Sequence, residues 1–315
     1  MQGAAGGGGE RGGSGRALRS RSSHGPPSFP SADNRAEGGH DKGRLYLVST
    51  PIGNLADITY RAVEILSTVT LIVAEDTRHS RTLLDHHAIK TPSTSYHEHN
   101  EARETPRLIA KLLAGQSIAL ISDAGTPLIS DPGSRLVQAA VTAGVPIVPI
   151  PGPSALLAAL VASGLSADRF TFYGFLPRKG KERTQTLTSI IHSSITSVVY
   201  EAANRVKDTL QDLSDSGAPD RQAVVARELT KKFEDIRRGT VTGLAQQIGE
   251  ELKGEVVIIV EGAPDRDVDE ETLRTHLAEL RAAGVTTREM VDRLMTAFGV
   301  ARNVAYRLVH EHSAH

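Results

Sequence analysis

Charged side chains are concentrated just after the second apolar run of the sequence. The run LIVAE at 71–75 is followed directly by Asp76, Arg78 and His79. A carboxylate placed there can orient a hydroxyl or accept its proton, and a guanidinium can hold a phosphate. Alternatively, the acidic residues at 75–76 only stabilise the start of the helix that follows. Because the strand directs Asp76 toward the edge of the sheet where ligands bind, we predict a functional role for it.

The histidines of YHEHNE at 96–101 resemble a metal site at first sight. His97 and His99 share one face of a strand, but no third ligand follows at a defined spacing. We therefore predict no metal site. We expect His97 to contact substrate, or Asn100 to cap the next helix.

A glycine-containing turn follows the first apolar run, in STPIGNLADIT at 49–59. Gly53 allows close approach of the backbone, and Asn54 or Asp57 can cap the following helix. The turn has neither the Gly-Lys-Ser/Thr of a Walker loop nor the spacing GxGxxG. A site for nucleotide phosphates is therefore not expected.

Two more loops follow predicted strands, and both are rich in small and polar residues. SDAGTPLISDPG at 122–133 offers many backbone N–H and C=O groups, which suit a polar, zwitterionic ligand. Turn chemistry alone explains Asp-Pro-Gly at 131–133, but not so long a polar loop. PGPSA at 151–155 opens a helix of small residues, against which a ligand can pack closely.

These loops need a scaffold, and the pattern of apolar residues predicts an α/β fold. From Arg44 to Ile150, short runs rich in Val, Ile and Leu alternate with amphipathic helices, which indicates parallel strands with crossovers. A ligand crevice is expected at the carboxyl ends of such strands. A second unit begins at Arg169, and its consecutive strands within 223–240 predict an antiparallel pair in a mixed sheet.

The chain divides into four predicted regions. Twelve of the 29 glycines fall in residues 1–43, which read as a disordered tail rich in Gly, Arg and Ser. An N-terminal α/β domain at 44–155 and a C-terminal α/β domain at 156–262 follow, and then a linker and helices at 263–315. In this last region, Gly299-Val300 separates two helical stretches. They predict either a helix-turn-helix that presents Arg302, Asn303 and Arg307, or a small helical cap.

Composition limits the class of protein. The formal charge is −1 and Cys is absent, which excludes disulfides and thiolate chemistry and suits a reducing cytoplasm. The N-terminus is basic but has no apolar stretch, so no secretory signal is expected. Nucleic-acid binding would need a local positive surface, and eight cations of the second half are candidates: Arg178, Lys179, Lys181, Arg183, Lys231, Lys232, Arg237 and Arg238.

Several motifs occur together in one order. They are LYLVSTPIGNLADIT, AEDTRHS, HEHNE, ALISDAGTPLISDPG, PIPGPSAL, GFLPRKGKER, ARELTKKFE and GEVVIIVEG, and they span 45–262. Together they resemble the small-subunit (16S) ribosomal RNA cytidine 2′-O-methyltransferases of the tetrapyrrole methylase superfamily. The resemblance implies two α/β domains with S-adenosylmethionine (SAM) bound in the cleft between them. It also implies a cytoplasmic homodimer that methylates a cytidine ribose near the decoding centre.

The resemblance also implies which residues contact the cofactor. The turn that begins at Pro51 takes the place of a glycine-rich turn in relatives that act on tetrapyrroles, and its different sequence points away from such a substrate. The remaining implied contacts lie in five segments: Ser122, Asp123, Ala124, Gly125, Thr126, Pro127 and Ile129; Ser154 and Ala155; Tyr173 and Gly174; Ala226 and Arg227; Gly254 and Glu255.

For such a reaction, Asp76 is the first candidate to orient or deprotonate the ribose hydroxyl, and His97 is the second. Arg78 is predicted to hold a flanking phosphate. Two other functions stay open on the sequence. One is SAM-dependent methylation of a tetrapyrrole or corrin precursor, and the other is a non-catalytic RNA-binding role in ribosome assembly.

Overall fold

The computed structural model describes residues 42–249, 252–264, 270–298, 300 and 302–311. Of the tail predicted at 1–43, residues 1–41 therefore lie outside the described residues. Part of the acidic linker, 265–269, lies outside them as well. None of the helices in the described ranges is long and apolar enough to cross a membrane.

The first sheet is built from five parallel strands. They are β1 (Leu45–Val48), β2 (Leu71–Ala74), β3 (Ser93–Ser95), β4 (Ile118–Ile121) and β5 (Ile147–Ile150), in the spatial order β3-β2-β4-β1-β5. Four helices cover it: α1 (Tyr60–Thr68), α2 (Thr77–His86), α3 (Glu101–Leu113) and α4 (Ser134–Thr142). The predicted alternation of strands and crossover helices is confirmed.

Both faces of this sheet are buried, which explains the continuous apolar runs of its central strands. Successive residues of β4 belong to different hydrophobic clusters. Ile118 and Leu120 pack toward α3 and α4, whereas Ala119 and Ile121 pack toward α1 and α2. All five strands point the same way, so the loops that follow them meet at one edge.

The helix α5 (Ala155–Ser163) leads to a second sheet. Its strands are β6 (Phe170–Phe175), β7 (Thr196–Ala202), β8 (Gln222–Arg227), β9 (Asp235–Thr240) and β10 (Glu255–Val260), in the order β6-β7-β10-β8-β9. Only β6 and β7 are parallel. The antiparallel pair predicted within 223–240 is β8 and β9, so this prediction is confirmed.

The second sheet also has two covered faces. The helices α6 (Lys181–His192), α7 (Val206–Asp215) and α8 (Val241–Gln247) pack on one face. The other face packs against α5 and against Ile52, from the loop after β1. Because Ile52 belongs to the first sheet's loops, this cluster joins the two α/β units at the edge where those loops meet.

Three helices follow the second sheet: α9 (Glu270–Ala282), α10 (Thr287–Phe298) and α11 (Arg302–His310). They share a hydrophobic core of their own, which includes Leu277, Leu294 and Leu308. The predicted helical appendage is thus confirmed as a three-helix unit. Whether it acts as a helix-turn-helix or as a cap remains a prediction.

Candidate active site

A cavity of about 350 Å³ lies where the loops of the first sheet meet the second sheet. This volume is within the range of small-molecule sites in proteins. The first unit contributes Ile52, Glu75, Asp123, Ala124, Gly125, Thr126, Ile129, Ser130, Asp131, Ser154 and Ala155. The second contributes Phe175, Tyr200, Glu201, Ala202, Ala226, Leu229, Gly254, Glu255, Val256 and Val257.

The loop after β4 is fastened to its neighbours by hydrogen bonds. Thr50 and Gly125 exchange two backbone hydrogen bonds of 2.9 and 3.0 Å. The Thr126 hydroxyl lies 3.0 Å from the Ser49 hydroxyl and donates to the Pro153 carbonyl at 3.1 Å. Loops after β1, β4 and β5 are therefore held together, which fixes the floor of the cavity.

The backbone around the cavity adopts conformations that side chains disfavour. Five described residues other than glycine have positive φ, and four of them lie in two loops at the cavity: Leu128, Ser130, Glu228 and Thr230. Each such residue costs on the order of 1–3 kcal/mol and is typical of functional sites. These loops are therefore shaped for something other than stability.

Three carboxylates of the first sheet face the same region. Burial, and then the charge of Asp123, raise the pKa of Glu75. Burial, reinforced by the charge of Glu75, raises the pKa of Asp131 to about 6. Asp123 also accepts the backbone N–H of Asp76 at 3.0 Å. The resulting local field is negative and favours a cationic ligand.

Asp76 has a different environment from these three carboxylates. Its side chain caps α2 by accepting the Arg78 N–H at 2.8 Å. It also accepts two hydrogen bonds from the Arg78 guanidinium, at 3.1 and 2.7 Å. This guanidinium holds the pKa of Asp76 well below its usual range. Among the described residues, neither partner of this pair lines the cavity.

His97 lies after β3, close enough to Glu75 that a positive charge on its ring would lower the pKa of this carboxyl. Its Nδ1 is buried with no hydrogen-bond partner in the described part of the chain. The ring packs edge-on against His99, with centroids 5.9 Å apart. Within the described ranges, no group of three or more potential ligands is arranged to hold a metal ion.

Most of the residues expected to contact a cofactor are brought together. Asp123, Ala124, Gly125, Thr126, Ile129, Ser154, Ala155, Ala226, Gly254 and Glu255 all line the cavity. Pro51 and Ser122 line an adjoining cavity of about 380 Å³, which shares Ile52, Asp123, Ala124 and Glu255 with the first.

The other four expected residues lie beside the cavity rather than in its wall. Gly174 approaches Ser130, and a Cβ on it would lie 3.3 Å from the Ser130 hydroxyl. Tyr173 packs against the core under the second sheet, and Pro127 is buried. Arg227 donates to the carbonyls of Lys253 and Phe233, at 3.1 and 3.2 Å.

Sequence reasoning missed several residues of the wall, including Glu75, Asp131, Phe175, Tyr200 and Glu201. In the sequence, Asp131 belongs to an Asp-Pro-Gly turn, and Glu75 directly precedes Asp76, which other charged residues follow. Their place in the loops that follow β2 and β4 is the signal that the sequence offers. Nothing in the local pattern distinguished Phe175 or Tyr200 from core aromatics.

Glu201 is a buried carboxylate at the cavity that is fully compensated. It accepts hydrogen bonds from Arg205 and, at 2.7 Å, from the Thr209 hydroxyl, and Arg183 lies 3.9 Å away. Two cations and a hydroxyl thus offset the cost of burying its charge. Arg183 is therefore paired within the fold and is not an unpaired cation of the surface.

The eight candidate cations separate into two groups. Arg183, Lys231 and Arg237 pair with carboxylates, and Arg238 donates to two carbonyls of α5. The other four are exposed: Arg178, Lys179, Lys181 and Lys232. Of these, Lys232 lies over the ring of Phe233, 5.5 Å from its centroid.

The sequence of this chain matches a known protein family and is similar to proteins that have been named. The family model of the Tetrapyrrole (Corrin/Porphyrin) Methylases matches residues 44–245. The chain is 48% identical over 270 residues to a ribosomal RNA small subunit methyltransferase I of Synechocystis, covering 84% of this chain and 97% of that one. It is 45% identical to a protein of the same name from Escherichia coli O157:H7, covering 88% and 96%.

Solved structures share the fold at low sequence identity. A cobalt precorrin-4 methyltransferase has a TM-score of 0.54 at 16% identity, covering 69% of this chain and 94% of that one. A uroporphyrin-III C-methyltransferase from Thermus thermophilus, in complex with S-adenosyl homocysteine, has a TM-score of 0.51 at 19% identity, covering 69% and 97%. These likenesses establish the two-unit architecture.

Proposed function

The chain belongs to the tetrapyrrole (corrin/porphyrin) methylase family, and from this premise we propose that it methylates the ribose 2′-hydroxyl of a cytidine in 16S ribosomal RNA. It is a SAM-dependent methyltransferase. The RNA substrate is supported above all by relatives named ribosomal RNA small subunit methyltransferase I, which are 42–53% identical to it. The alignments run through nearly the whole length of several of them.

The cavity fits the cofactor. SAM carries a sulfonium, an amino group and a carboxylate, and when bound it supplies an activated methyl group. Glu75 and Asp123 supply negative charge for its cationic groups. Ala124, Ala155 and Ala226 leave space for a flat apolar ring. We propose that the ten cavity-lining residues predicted from the sequence hold it.

Positioning is the main task of the protein in such a displacement, because the cofactor is already activated. The joined loops after β1, β4 and β5 provide a fixed floor for this. We propose that Asp131 or Glu75 accepts the hydroxyl proton, since both face the cavity and a raised pKa makes a carboxylate a better acceptor. Asp76, the acceptor predicted from the sequence, keeps Arg78 in position to hold a phosphate of the RNA.

We also propose that the enzyme works in the cytoplasm as a homodimer. The proposed ribosomal RNA substrate supports this location, because ribosomes are in the cytoplasm. Leu157 and Val161 support the dimer, because they lie one helical turn apart on α5 and are 51% and 76% exposed. Burying both side chains against a second copy of the chain would remove apolar surface from water, which favours association.

The direct test incubates the purified protein with radiolabelled SAM and small ribosomal subunits. We expect label in the RNA, recovered after digestion as 2′-O-methylcytidine. Assays with porphyrinoid acceptors should give no product. Label in a porphyrinoid, or binding of subunits without transfer of label, would contradict the proposal and favour one of the two other functions.

A further inference from the structure

Phe175 is directed toward the cavity by an irregularity in β6. In a regular strand, side chains three positions apart point to opposite faces of the sheet. However, the rings of Phe172 and Phe175 both pack edge-on against Tyr200, with centroid separations of 4.8 and 5.5 Å. The pairing of β6 with β7 shifts register between these phenylalanines, where Gly174 has a φ of +65°. Such bulges are over-represented beside active sites, where they re-aim a side chain.

The ring of Phe175 is supported on one side and open on the other. Tyr200 is held in place because its hydroxyl accepts the backbone N–H of Leu156 at 3.1 Å. Phe175 itself is 58% exposed, although it lines the cavity. An aromatic ring left in water forgoes the free energy that its burial would provide. A supported, exposed ring is suited to receive a planar partner.

Cations follow this ring along the chain. Arg178, Lys179 and Lys181 are all exposed at the turn between β6 and α6. In the part of the chain that the structure describes, none of the three has a carboxylate partner. An aromatic platform beside unpaired cations is the combination with which proteins bind single-stranded nucleic acid, since bases stack and phosphates are neutralised.

We propose that Phe175 is a stacking site for the nucleobase of the nucleotide that is methylated, with the cations at 178–181 beside its phosphates. This inference rests on the proposed function. The adenine of the cofactor is the other planar group in the cleft. Gly125 and Ala226, which are among the predicted cofactor contacts in the cavity wall, are buried, whereas Phe175 is exposed.

The test compares three variants of the full chain: Phe175→Leu, Phe175→Ala and Phe175→Tyr. Leu keeps the apolar character without the aromatic face, and Tyr keeps the face. We expect Phe175→Leu and Phe175→Ala to lower kcat/KM for small subunits by about 10-fold to 100-fold, mainly through KM, as for the loss of one stacked base. Phe175→Tyr should retain most activity. The affinity for S-adenosyl homocysteine without RNA should not change in any of them.

A matched control is Leu113→Ala, which removes an exposed apolar side chain at the far end of α3. A loss of S-adenosyl homocysteine affinity in Phe175→Leu would overturn the proposal and assign the ring to the cofactor. Normal KM in Phe175→Leu would also overturn it, as would equal losses in Phe175→Tyr. If the wild-type protein methylates no RNA, the proposed function itself fails, and this inference fails with it.

Discussion

Asp76 and Asp131 follow neighbouring strands of one sheet, but their surroundings move their pKa values in opposite directions. Arg78 donates three hydrogen bonds to Asp76 and lowers its pKa. Burial and nearby carboxylates raise the pKa of Asp131 to about 6. A base is most effective when its pKa lies near the working pH. The two residues should therefore contribute differently to the reaction, one by holding Arg78 and the other by accepting a proton.

Replacing each aspartate by asparagine separates these contributions. Asp131→Asn should lower kcat by about 100-fold or more, because general-base catalysis contributes about that much. Asp76→Asn should mainly raise KM for the small subunit, because Arg78 loses the carboxylate that orients it. Single-turnover methyl transfer with saturating SAM measures the first effect, and the dependence on subunit concentration measures the second.

The control for both variants is the affinity for S-adenosyl homocysteine. A large loss of kcat in Asp76→Asn with this affinity intact would show that Asp76 is the base, as the sequence predicts. Near-normal kcat in Asp131→Asn would leave Glu75 or His97 as the acceptor.

Asp131 should also make stability depend on pH. Its folded pKa of about 6 lies above the ordinary aspartate pKa of 3.8, so between these values the folded state holds a proton that the unfolded state has released. The free energy of unfolding therefore falls as pH rises through this window. At pH 7.5, Asp131→Asn should raise the free energy of unfolding by roughly 1–2 kcal/mol. This is less than the free energy that corresponds to the whole pKa shift, because the carboxyl is partly solvated.

Urea unfolding at pH 4 and pH 7.5 measures this difference. The gain from Asp131→Asn should be small at pH 4, where the wild-type carboxyl is largely protonated. Asp220→Asn, at an exposed aspartate in a loop, is the control and should show no such pH dependence. A gain of the same size at both pH values would mean that ionisation is not its cause.

At the residue scale, the sequence predicted segments better than individual groups. It identified the loop 122–129, because a long polar loop after a buried strand needs an explanation. It emphasised Asp76 because charges surround that residue in the chain. The pKa of Asp131 depends on its burial in the folded chain and on Glu75, more than 50 residues away, and no local pattern contains that information.

At the scale of elements, the predicted strands agree with the structure where both faces of the strand are buried. Strands β1, β2 and β4 are covered on both faces and so appear as continuous apolar runs, which the sequence reveals directly. The bulge in β6 could not be predicted in this way. FTFYGF is consistent with a regular strand, and only the pairing with β7 shows that Gly174 shifts the register.

Gly174 should be required for both stability and activity. Its φ is +65°, and a Cβ would lie 3.3 Å from the Ser130 hydroxyl. Gly174→Ala should cost about 1–2 kcal/mol, since alanine disfavours left-handed backbone. It should also lower kcat/KM for the small subunit, because straightening β6 would turn Phe175 away from the cavity.

Gly164→Ala is a close control for this variant. Gly164 has a φ of +80° at the end of α5, and nothing lies within 4 Å of its Cβ position. Thermal unfolding should show similar losses of stability for the two variants, and methyl-transfer assays should show lost activity only for Gly174→Ala. Equal activities would mean that the bulge does not serve the cleft.

At the scale of the whole molecule, the formal charge of −1 conceals a separation of charges. Carboxylates of the first sheet face the cavity, whereas cations with no carboxylate partner among the described residues lie at the turn before α6. A cationic cofactor and an anionic RNA can therefore approach one cleft from surfaces of opposite sign. Overall charge was uninformative about partners, because the two surfaces cancel in the sum.

The proposed homodimer predicts how the intact protein responds to a charge on α5. Val161 is 76% exposed, and Leu157 lies one turn away on the same helix. Val161→Glu places a carboxylate within an apolar contact. The Kd of the dimer should therefore increase by about 100-fold or more, as expected for an unpaired charge at an interface. Analytical ultracentrifugation measures the change directly.

Val141→Glu, at a valine of α4 that is 64% exposed, is the control and should leave association unchanged. A wild-type protein that sediments at the mass of one 33.6 kDa chain would contradict the dimer. Unaltered association of Val161→Glu would instead place the interface elsewhere on the molecule.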